Sequence, residues 1–82
     1  MKPEEIRAVV LRELGRIAPE ADLLALPESA PLREELDIDS MDFLRLVTAL
    51  HEATGVDVPE SDYEQVSSLR GCVDYLAARL PR

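Results

Sequence analysis

A single serine, Ser40, stands among three carboxylates in residues 37–42, DIDSMD. Asp39 occupies the position of a helix N-cap, from which its carboxylate can accept a hydrogen bond from the N–H of Met41 or Asp42. Asp42 can reach back to the N–H of Asp39. Ser40 is then the first helical residue, and its hydroxyl is not needed as a cap. Because free N–H groups and the helix dipole favour an anion there, this spacing predicts a serine placed for attachment of a phosphoryl group.

Other chemistry for this serine is excluded by its neighbours. His51 is the only histidine of the chain, and it lies about 16 Å along the same helix from Ser40, too far to serve as its base. His51 is therefore interpreted as a solvated helix residue. Cys72, the only cysteine, falls on an apolar stripe and is expected to be buried. We expect no catalytic residue.

A calcium loop beginning at Asp37 is also excluded. It would need Asp or Asn at position 41, Gly at 42 and Glu at 48. Met41, Asp42 and Thr48 stand there instead. No Cys/His cluster has zinc spacing either, so the sequence predicts no metal ligand.

The helix that follows Ser40 has two apolar faces of different kinds. At about 100° per residue, one stripe collects the residues expected in the core, Phe43, Leu46, Val47, Leu50 and Thr54. Met41 lies across the axis and Leu44 on the flank, where the core gives no reason for an apolar side chain. Beside an exposed serine, a contact surface is the better interpretation than scattered surface apolar residues. The predicted partner-binding residues are Asp39, Met41, Asp42, Leu44 and Glu52.

The remaining sequence predicts helices separated by prolines. The first helix begins at Pro3 and stops before Pro19, and residues 18–38 contain three prolines that argue against continuous helix. The leucines of this long loop, Leu23, Leu24, Leu26, Leu32 and Leu36, are expected to pin it to the core. The helix at 40–54 is closed by Gly55, a short helical piece follows around 62–65, and a last helix over 69–80 has Ser67 or Ser68 as its cap. The fold class is all-α, a small bundle of three main helices plus one short helix.

Length, net charge and cysteine count indicate the domain number, the kind of partner and the compartment. The 82 residues predict one domain, 1–82, too small for a catalytic cleft of ordinary size. A net charge of −8 argues against nucleic acid as a partner and favours basic protein surfaces. No secretory signal or membrane span is predicted, and the single cysteine excludes an internal disulfide. The sequence therefore predicts a cytoplasmic monomer without a membrane partner.

Residues 32–80 resemble an acyl carrier protein, through DSM at 39–41, GVDVP at 55–59 and VDYL at 73–76. The resemblance implies that Ser40 carries 4′-phosphopantetheine, taken from coenzyme A, through a phosphodiester. The thiol of that arm would hold acyl groups as thioesters, so the chain would be a carrier and not an enzyme. The implied partners are a phosphopantetheinyl transferase and acyl-transferring or acyl-activating enzymes with basic docking surfaces.

The sequence also departs from that family at informative positions. Asp37 stands where Gly is usual, and Asp tolerates a left-handed backbone better than most residues. Arg45 and His51 replace acids that carriers of fatty acid biosynthesis tend to keep. These changes indicate a carrier with its own set of enzymes in a specialised lipid or secondary-metabolite pathway. The short termini leave no linker to a synthase module, so a stand-alone carrier that meets its partners in trans is expected. A peptidyl (aminoacyl) carrier, or a non-carrier helical interaction module with a phosphorylatable Ser40, remains as an alternative.

Overall fold

A computed structural model describes residues 1–81, and they contain helices and loops without any strand. The three main helices are α1 (Pro3–Ile17), α3 (Ser40–Thr54) and α4 (Leu69–Arg79). A four-residue helix, α2 (Leu32–Glu35), and two 3-10 segments, η1 (Leu23–Ala25) and η2 (Glu60–Val66), lie between them. The predicted all-α class is confirmed. No helix in the described chain is long and apolar enough to cross a bilayer.

One apolar face of each main helix forms a common core. α1 packs against both α3 and α4. The core residues of these helices are Ile6, Val10, Leu14, Phe43, Leu46, Val47, Leu50, Leu69, Cys72, Tyr75 and Leu76. The stripe predicted on α3 is therefore buried, with Thr54 half-buried at its end. Because one face of α3 is buried in the core, the opposite face, which begins at Met41, is exposed to solvent.

The caps explain where α3 and α4 begin and end. Gly55 ends α3 with a left-handed φ of +79°, and its N–H donates to the carbonyl oxygen of His51 at 2.7 Å. Of the two serines proposed as the α4 cap, the structure uses Ser68, whose Oγ accepts from the Gly71 N–H at 3.0 Å. Local residues thus determine the ends of both helices.

The long loop differs in part from the prediction. It is not continuous helix, as expected, but α2 and η1 were not predicted. Leu26 and Leu32 are buried and anchor the loop, whereas Leu24 is 97% exposed, so its predicted core role is wrong. Because a 3-10 segment has about three residues per turn, packing Leu23 against the core turns its neighbour Leu24 outward. The N–H of Leu32 donates to the carbonyl oxygen of Ser67 at 2.8 Å and ties the loop to the residue before the N-cap of α4.

The segment η2 is longer than the predicted helical piece at 62–65 and is a 3-10 helix. It packs on α4, and its last residue, Val66, is buried. Tyr63 is half-buried at the core edge and Tyr75 is buried, as predicted for both tyrosines. The placement of η2 leaves a cleft between it and the start of α3.

Candidate functional site

Ser40 is the first residue of α3, and its side chain is exposed. The predicted capping arrangement is confirmed: the N–H of Asp42 donates to Asp39 Oδ1 at 2.9 Å, and the N–H of Asp39 donates to Asp42 Oδ2 at 3.4 Å. Within residues 1–81 the Ser40 hydroxyl makes no hydrogen bond. The cap is satisfied without Ser40, so its hydroxyl is available for substitution.

The charge of Asp39 is stabilised by this geometry. The hydrogen bond from the backbone N–H of Asp42 lowers the pKa of the Asp39 carboxyl from its usual 3.8, with smaller contributions from the N–H of Met41 and the charge of Arg45. Asp39 is therefore ionised, and it is a poor general base for the neighbouring hydroxyl. The low pKa makes Asp39 a weak acceptor for the proton of the Ser40 hydroxyl.

A cavity of about 540 Å³ opens directly beside Ser40, between α3 and η2. Phe43 and Leu44 contribute its apolar surface from α3, and Tyr63 does so from η2. The remaining lining residues are mostly polar or charged: Pro31, Arg33, Glu34, Glu60, Glu64 and Ser67. A volume of this size is within the range of small-molecule sites. The hydroxyl of Ser40 thus lies at the edge of an apolar cavity large enough for an organic group.

An aromatic pair joins the two sides of this cavity. The ring centroids of Phe43 and Tyr63 are 5.5 Å apart with an angle of 74° between the rings, an edge-to-face arrangement. Phe43 also belongs to the core, whereas Tyr63 packs against the core from its edge. The pair therefore lies between the cavity and the interior of the bundle.

The predicted contact surface on α3 is exposed where expected. Met41 is 65% exposed and Leu44 is 46% exposed. Together with Glu52 they line a shallow cavity of about 330 Å³ on the outer face of the helix. Asp39 and Asp42 do not line it, and Asp42 is half-buried between the cap and Arg45, 3.7 Å away. The structure thus brings three of the five predicted partner-binding residues together and places the other two beside Ser40.

His51 and Cys72 lie where the sequence predicted them, one in solvent and the other in the core. His51 is exposed on α3, and Cys72 is fully buried. Burial raises the pKa of the Cys72 thiol from 9.0 to about 12, and its Sγ donates to the carbonyl oxygen of Val66. Cys72 is therefore no acyl-accepting thiolate. Across the described part of the chain, no group of three or more Asp, Glu, His or Cys side chains could hold a metal ion.

Asp37 adopts the left-handed conformation that its residue type tolerates, with φ +52°. The loop before Ser40 therefore keeps its turn although the residue is not Gly. Sequence reasoning missed Tyr63 and Arg33 as neighbours of Ser40. Tyr63 gave a signal only as a core-edge residue, and Arg33 gave none, because both reach the site through tertiary packing.

The site is suited to a phosphopantetheine arm. It offers an exposed hydroxyl at the start of a 15-residue helix and an adjoining cavity for the arm or its cargo. Ser40 would hold the arm, and the cavity side chains Leu44 and Tyr63 could contact it. When bound, the arm supplies a thiol that forms thioesters, a chemistry that this chain's own buried Cys72 does not supply.

Comparisons with known proteins agree with this geometry. Residues 4–76 match the family described as the phosphopantetheine attachment site. The chain is 36% identical to the acyl carrier protein of Campylobacter hominis over an alignment of 73 residues. This alignment covers 89% of this chain and 86% of that protein. It is 33% identical to the acyl carrier protein of Rubrobacter xylanophilus, over 85% of this chain and 90% of that one, and 27% identical to that of Guillardia theta, over 94% and 89%. The chain belongs to the acyl carrier proteins, which are carriers rather than enzymes and have 4′-phosphopantetheine as their prosthetic group.

Proposed function

We propose that Ser40 carries 4′-phosphopantetheine and that the chain presents acyl groups, bound to that arm as thioesters, to separate partner enzymes. The observation that supports this most strongly is the free, exposed hydroxyl of Ser40 at the first position of α3, beside a cap that Asp39 and Asp42 complete without it. The helix dipole and the N-terminal N–H groups favour the negative charge of the phosphodiester.

The attachment is a phosphoryl transfer from coenzyme A. Ser40 Oγ forms a bond to the phosphorus that bears pantetheine, and the bond from that phosphorus to the pyrophosphate bridging oxygen breaks. Adenosine 3′,5′-bisphosphate leaves, and the serine proton passes to a base. Because the lowered pKa makes Asp39 a weak base and His51 lies far along α3, we expect a phosphopantetheinyl transferase to supply that base.

The partner enzymes are expected to dock on the outer face of α3. Met41 and Leu44 offer apolar area next to Ser40, and Glu52 lies at the other end of the same shallow cavity. Asp39 and Asp42 flank the attachment point with negative charge. A basic enzyme surface would be steered to this face, and contacts of this kind give fast, short-lived complexes. We expect the acyl-activating and acyl-transferring enzymes of one specialised lipid or secondary-metabolite pathway.

The proposed arm also indicates the compartment in which the carrier acts. A free thiol is required on the arm, and such thiols stay reduced in the cytoplasm, where we expect this carrier to act as a single monomeric domain. Tethering raises the effective concentration of the cargo for each enzyme that binds the carrier. The cavity beside Ser40 gives the cargo a place on the protein between enzyme encounters.

Intact mass after incubation with coenzyme A, magnesium and a phosphopantetheinyl transferase tests the proposal. We expect the mass to increase by one phosphopantetheine in the native protein and not in Ser40→Ala. Ser61→Ala removes another exposed serine near a helix start and is the matched control, in which labelling should be complete. Labelling of Ser40→Ala, or no labelling of the native protein with a transferase of broad specificity, would contradict the proposal.

A further inference from the structure

Arg33 lies in α2, shortly before the loop that leads to Ser40, and its backbone is held in place by hydrogen bonds. Its neighbour Leu32 is fully buried, and the N–H of Leu32 donates to the carbonyl oxygen of Ser67 at 2.8 Å. The carbonyl oxygen of Arg33 accepts the N–H of Ile38, the residue before the N-cap of α3, at 3.0 Å. Because of these bonds, the backbone of Arg33 is kept beside the start of α3.

The exposed guanidinium of Arg33 has no acidic partner within residues 1–81. Five other arginines of this part of the chain each form an ion pair: Arg7, Arg12, Arg16, Arg45 and Arg79. Among the described residues that line the cavity with Ser40, Arg33 is the only basic one. It therefore brings an unpaired positive charge to the same opening as the Ser40 hydroxyl.

A phosphodiester on Ser40 would need a positive charge nearby. Its negative charge would lie next to the carboxylates of Asp39 and Asp42, which complete the helix cap on either side. The N-terminal N–H groups of α3 offset only part of this repulsion. Arg45 lies about 7.5 Å along the helix and about 140° around it from Ser40, and it already pairs with Asp42 at 3.7 Å. Arg33 is therefore the better placed of the two arginines to meet the phosphate.

We infer that Arg33 binds the phosphodiester oxygens of the arm on Ser40 and holds the first atoms of the arm on the α2 side of α3, away from Met41. This inference rests on the proposed function and assigns a positioning residue for the prosthetic group. A guanidinium presents planar N–H donors that match two oxygens of one phosphate, which an ammonium does not. A partner enzyme that offers its own basic side chain to the phosphate would release the arm from Arg33.

The first experiment observes the phosphate and the guanidinium directly in the loaded carrier. Protein labelled with ¹⁵N is loaded from coenzyme A by a phosphopantetheinyl transferase and studied by ³¹P and ¹⁵N NMR at low salt. The Nε signal of Arg33 should move when the arm is attached, and the ³¹P signal should move when Arg33→Gln removes the guanidinium. Because the contact joins two exposed charges, about 0.5 M sodium chloride should remove most of the ³¹P difference between the two proteins.

Two further variants separate a direct contact from a general effect of charge. Arg70→Gln is the matched control: it removes another exposed arginine, on α4 and outside this cavity, and should leave the ³¹P signal in place. Arg33→Lys keeps the charge without the planar donors and should restore only part of the native ³¹P shift. The melting temperature of the unloaded protein should be the same with and without Arg33→Gln, because this side chain forms no ion pair within residues 1–81.

The outcomes separate this inference from the proposed function. If the arm is attached but Arg33→Gln leaves the ³¹P signal in place, or moves it no more than Arg70→Gln does, the carrier role stands and the role of Arg33 is overturned. If Ser40 accepts no arm, the proposed function fails. Arg33 is then tested in Ser40→Cys alkylated with bromoethylphosphonate, because Cys72 is fully buried. The second pKa of this phosphonate should be lower than in the protein that also carries Arg33→Gln, and equal values would overturn the inference.

Discussion

Asp39 and Asp42 each accept the backbone N–H of the other at the start of α3, at 2.9 Å and 3.4 Å. This reciprocal capping satisfies two of the N–H groups that a helix start leaves without partners. It does so with the residues on either side of Ser40 and Met41, so neither of those side chains is needed for the fold. Ser40, the proposed attachment residue, thus lies at a capped helix start and has a free hydroxyl.

Replacing Asp39 should therefore affect both stability and modification. Asp39→Ala removes the acceptor of the Asp42 N–H, so we expect a lower melting temperature and slower labelling of Ser40 by the transferase. Asp39→Asn keeps a capping oxygen and is the milder control. Thermal melts and labelling time courses measure the two effects. A full labelling rate in Asp39→Ala would show that the cap does not position Ser40.

Acid should remove the contribution of the Asp39 carboxylate to stability. The pKa of its carboxyl is lowered in the folded state, so its stabilising contribution is present above the usual 3.8 and is lost as the pH falls through the lower, folded value. The difference in free energy of unfolding between the native protein and Asp39→Asn should be constant near neutral pH and shrink in that acid range. Urea melts from neutral pH to below pH 3.8 measure it. If the difference stays constant across the whole pH series, the capping hydrogen bond does not lower the pKa of Asp39.

Gly71 is required by close packing at the start of α4. A Cβ at this position would overlap the carbonyl oxygen of Gln65 in η2. We expect Gly71→Ala to destabilise the fold by about 1–3 kcal/mol, because either η2 or α4 must move. Gly15→Ala in α1 is the matched control: its Cβ would lie 3.5 Å from Leu23 Cδ1, an ordinary contact, and it should stabilise the helix by up to about 1 kcal/mol. Urea melts of both variants measure the free energy of unfolding. If Gly71→Ala leaves it unchanged, the contact between residue 71 and the Gln65 carbonyl oxygen is not tight.

The parts of this structure that depend on local chemistry could be predicted from the sequence. The bounds of α3 follow from Asp39 as its N-cap and Gly55 at its end, and its buried face follows from helical periodicity. Ser40 as the candidate attachment point follows from the same cap. Asp37 was expected to accept a left-handed backbone and does so. Each of these depends on residues close together in the chain.

The cavity could not be predicted, because it depends on distant residues. Its second side is η2, which packs on α4 and is joined to it by a hydrogen bond between Asp62 and Tyr75, 13 residues apart in the chain. The four-residue helix α2 is too short for periodicity to reveal, and the outward turn of Leu24 follows from the 3-10 geometry of η1. In each case packing decides among conformations that the local sequence allows.

Ionisation of the Tyr75 hydroxyl should lower the free energy of unfolding at alkaline pH. Its hydrogen bond to Asp62 raises the pKa of Tyr75 above the usual 10.0, so the contribution to stability is complete below that pH and is lost as the pH rises toward the folded value. The native protein should lose stability above pH 10.0 more steeply than Tyr75→Phe, although the variant is less stable at neutral pH. Denaturant melts at neutral pH and above pH 10.0 measure the two slopes. Parallel slopes would mean that the bond to Asp62 is not maintained in solution.

Met41 should matter for partners and not for folding. Met41→Glu places a charge on an exposed surface that a partner enzyme must desolvate on docking. We expect the free energy of unfolding to change by less than about 0.5 kcal/mol and kcat/KM for labelling by the transferase to fall about tenfold. Ala78→Glu adds the same charge at an exposed position of α4 and is the control. Equal kinetics in the two variants would place the docking surface elsewhere.

The excess of acids should make the fold sensitive to salt. The chain has 17 acidic and nine basic residues, and Glu20, Glu35 and Asp37 line one cavity at the loop before Ser40. Their mutual repulsion destabilises the compact state, and at physiological ionic strength charges farther apart than about 8 Å are screened. The melting temperature should therefore rise from low to moderate sodium chloride, and magnesium should raise it at lower concentration.

A charge variant locates the source of that dependence. Glu35→Gln removes one exposed acid of this cavity, so its melting temperature in low salt should lie above that of the native protein, and its further rise with sodium chloride should be smaller. Asp74→Asn removes an exposed acid of α4, away from the cavity, and should change the salt response less. Because a carrier in this proposal must leave each enzyme quickly, the same repulsion keeps its complexes dependent on charge and short-lived. A melting temperature that does not respond to sodium chloride in the native protein would show that the acids at this loop are already compensated.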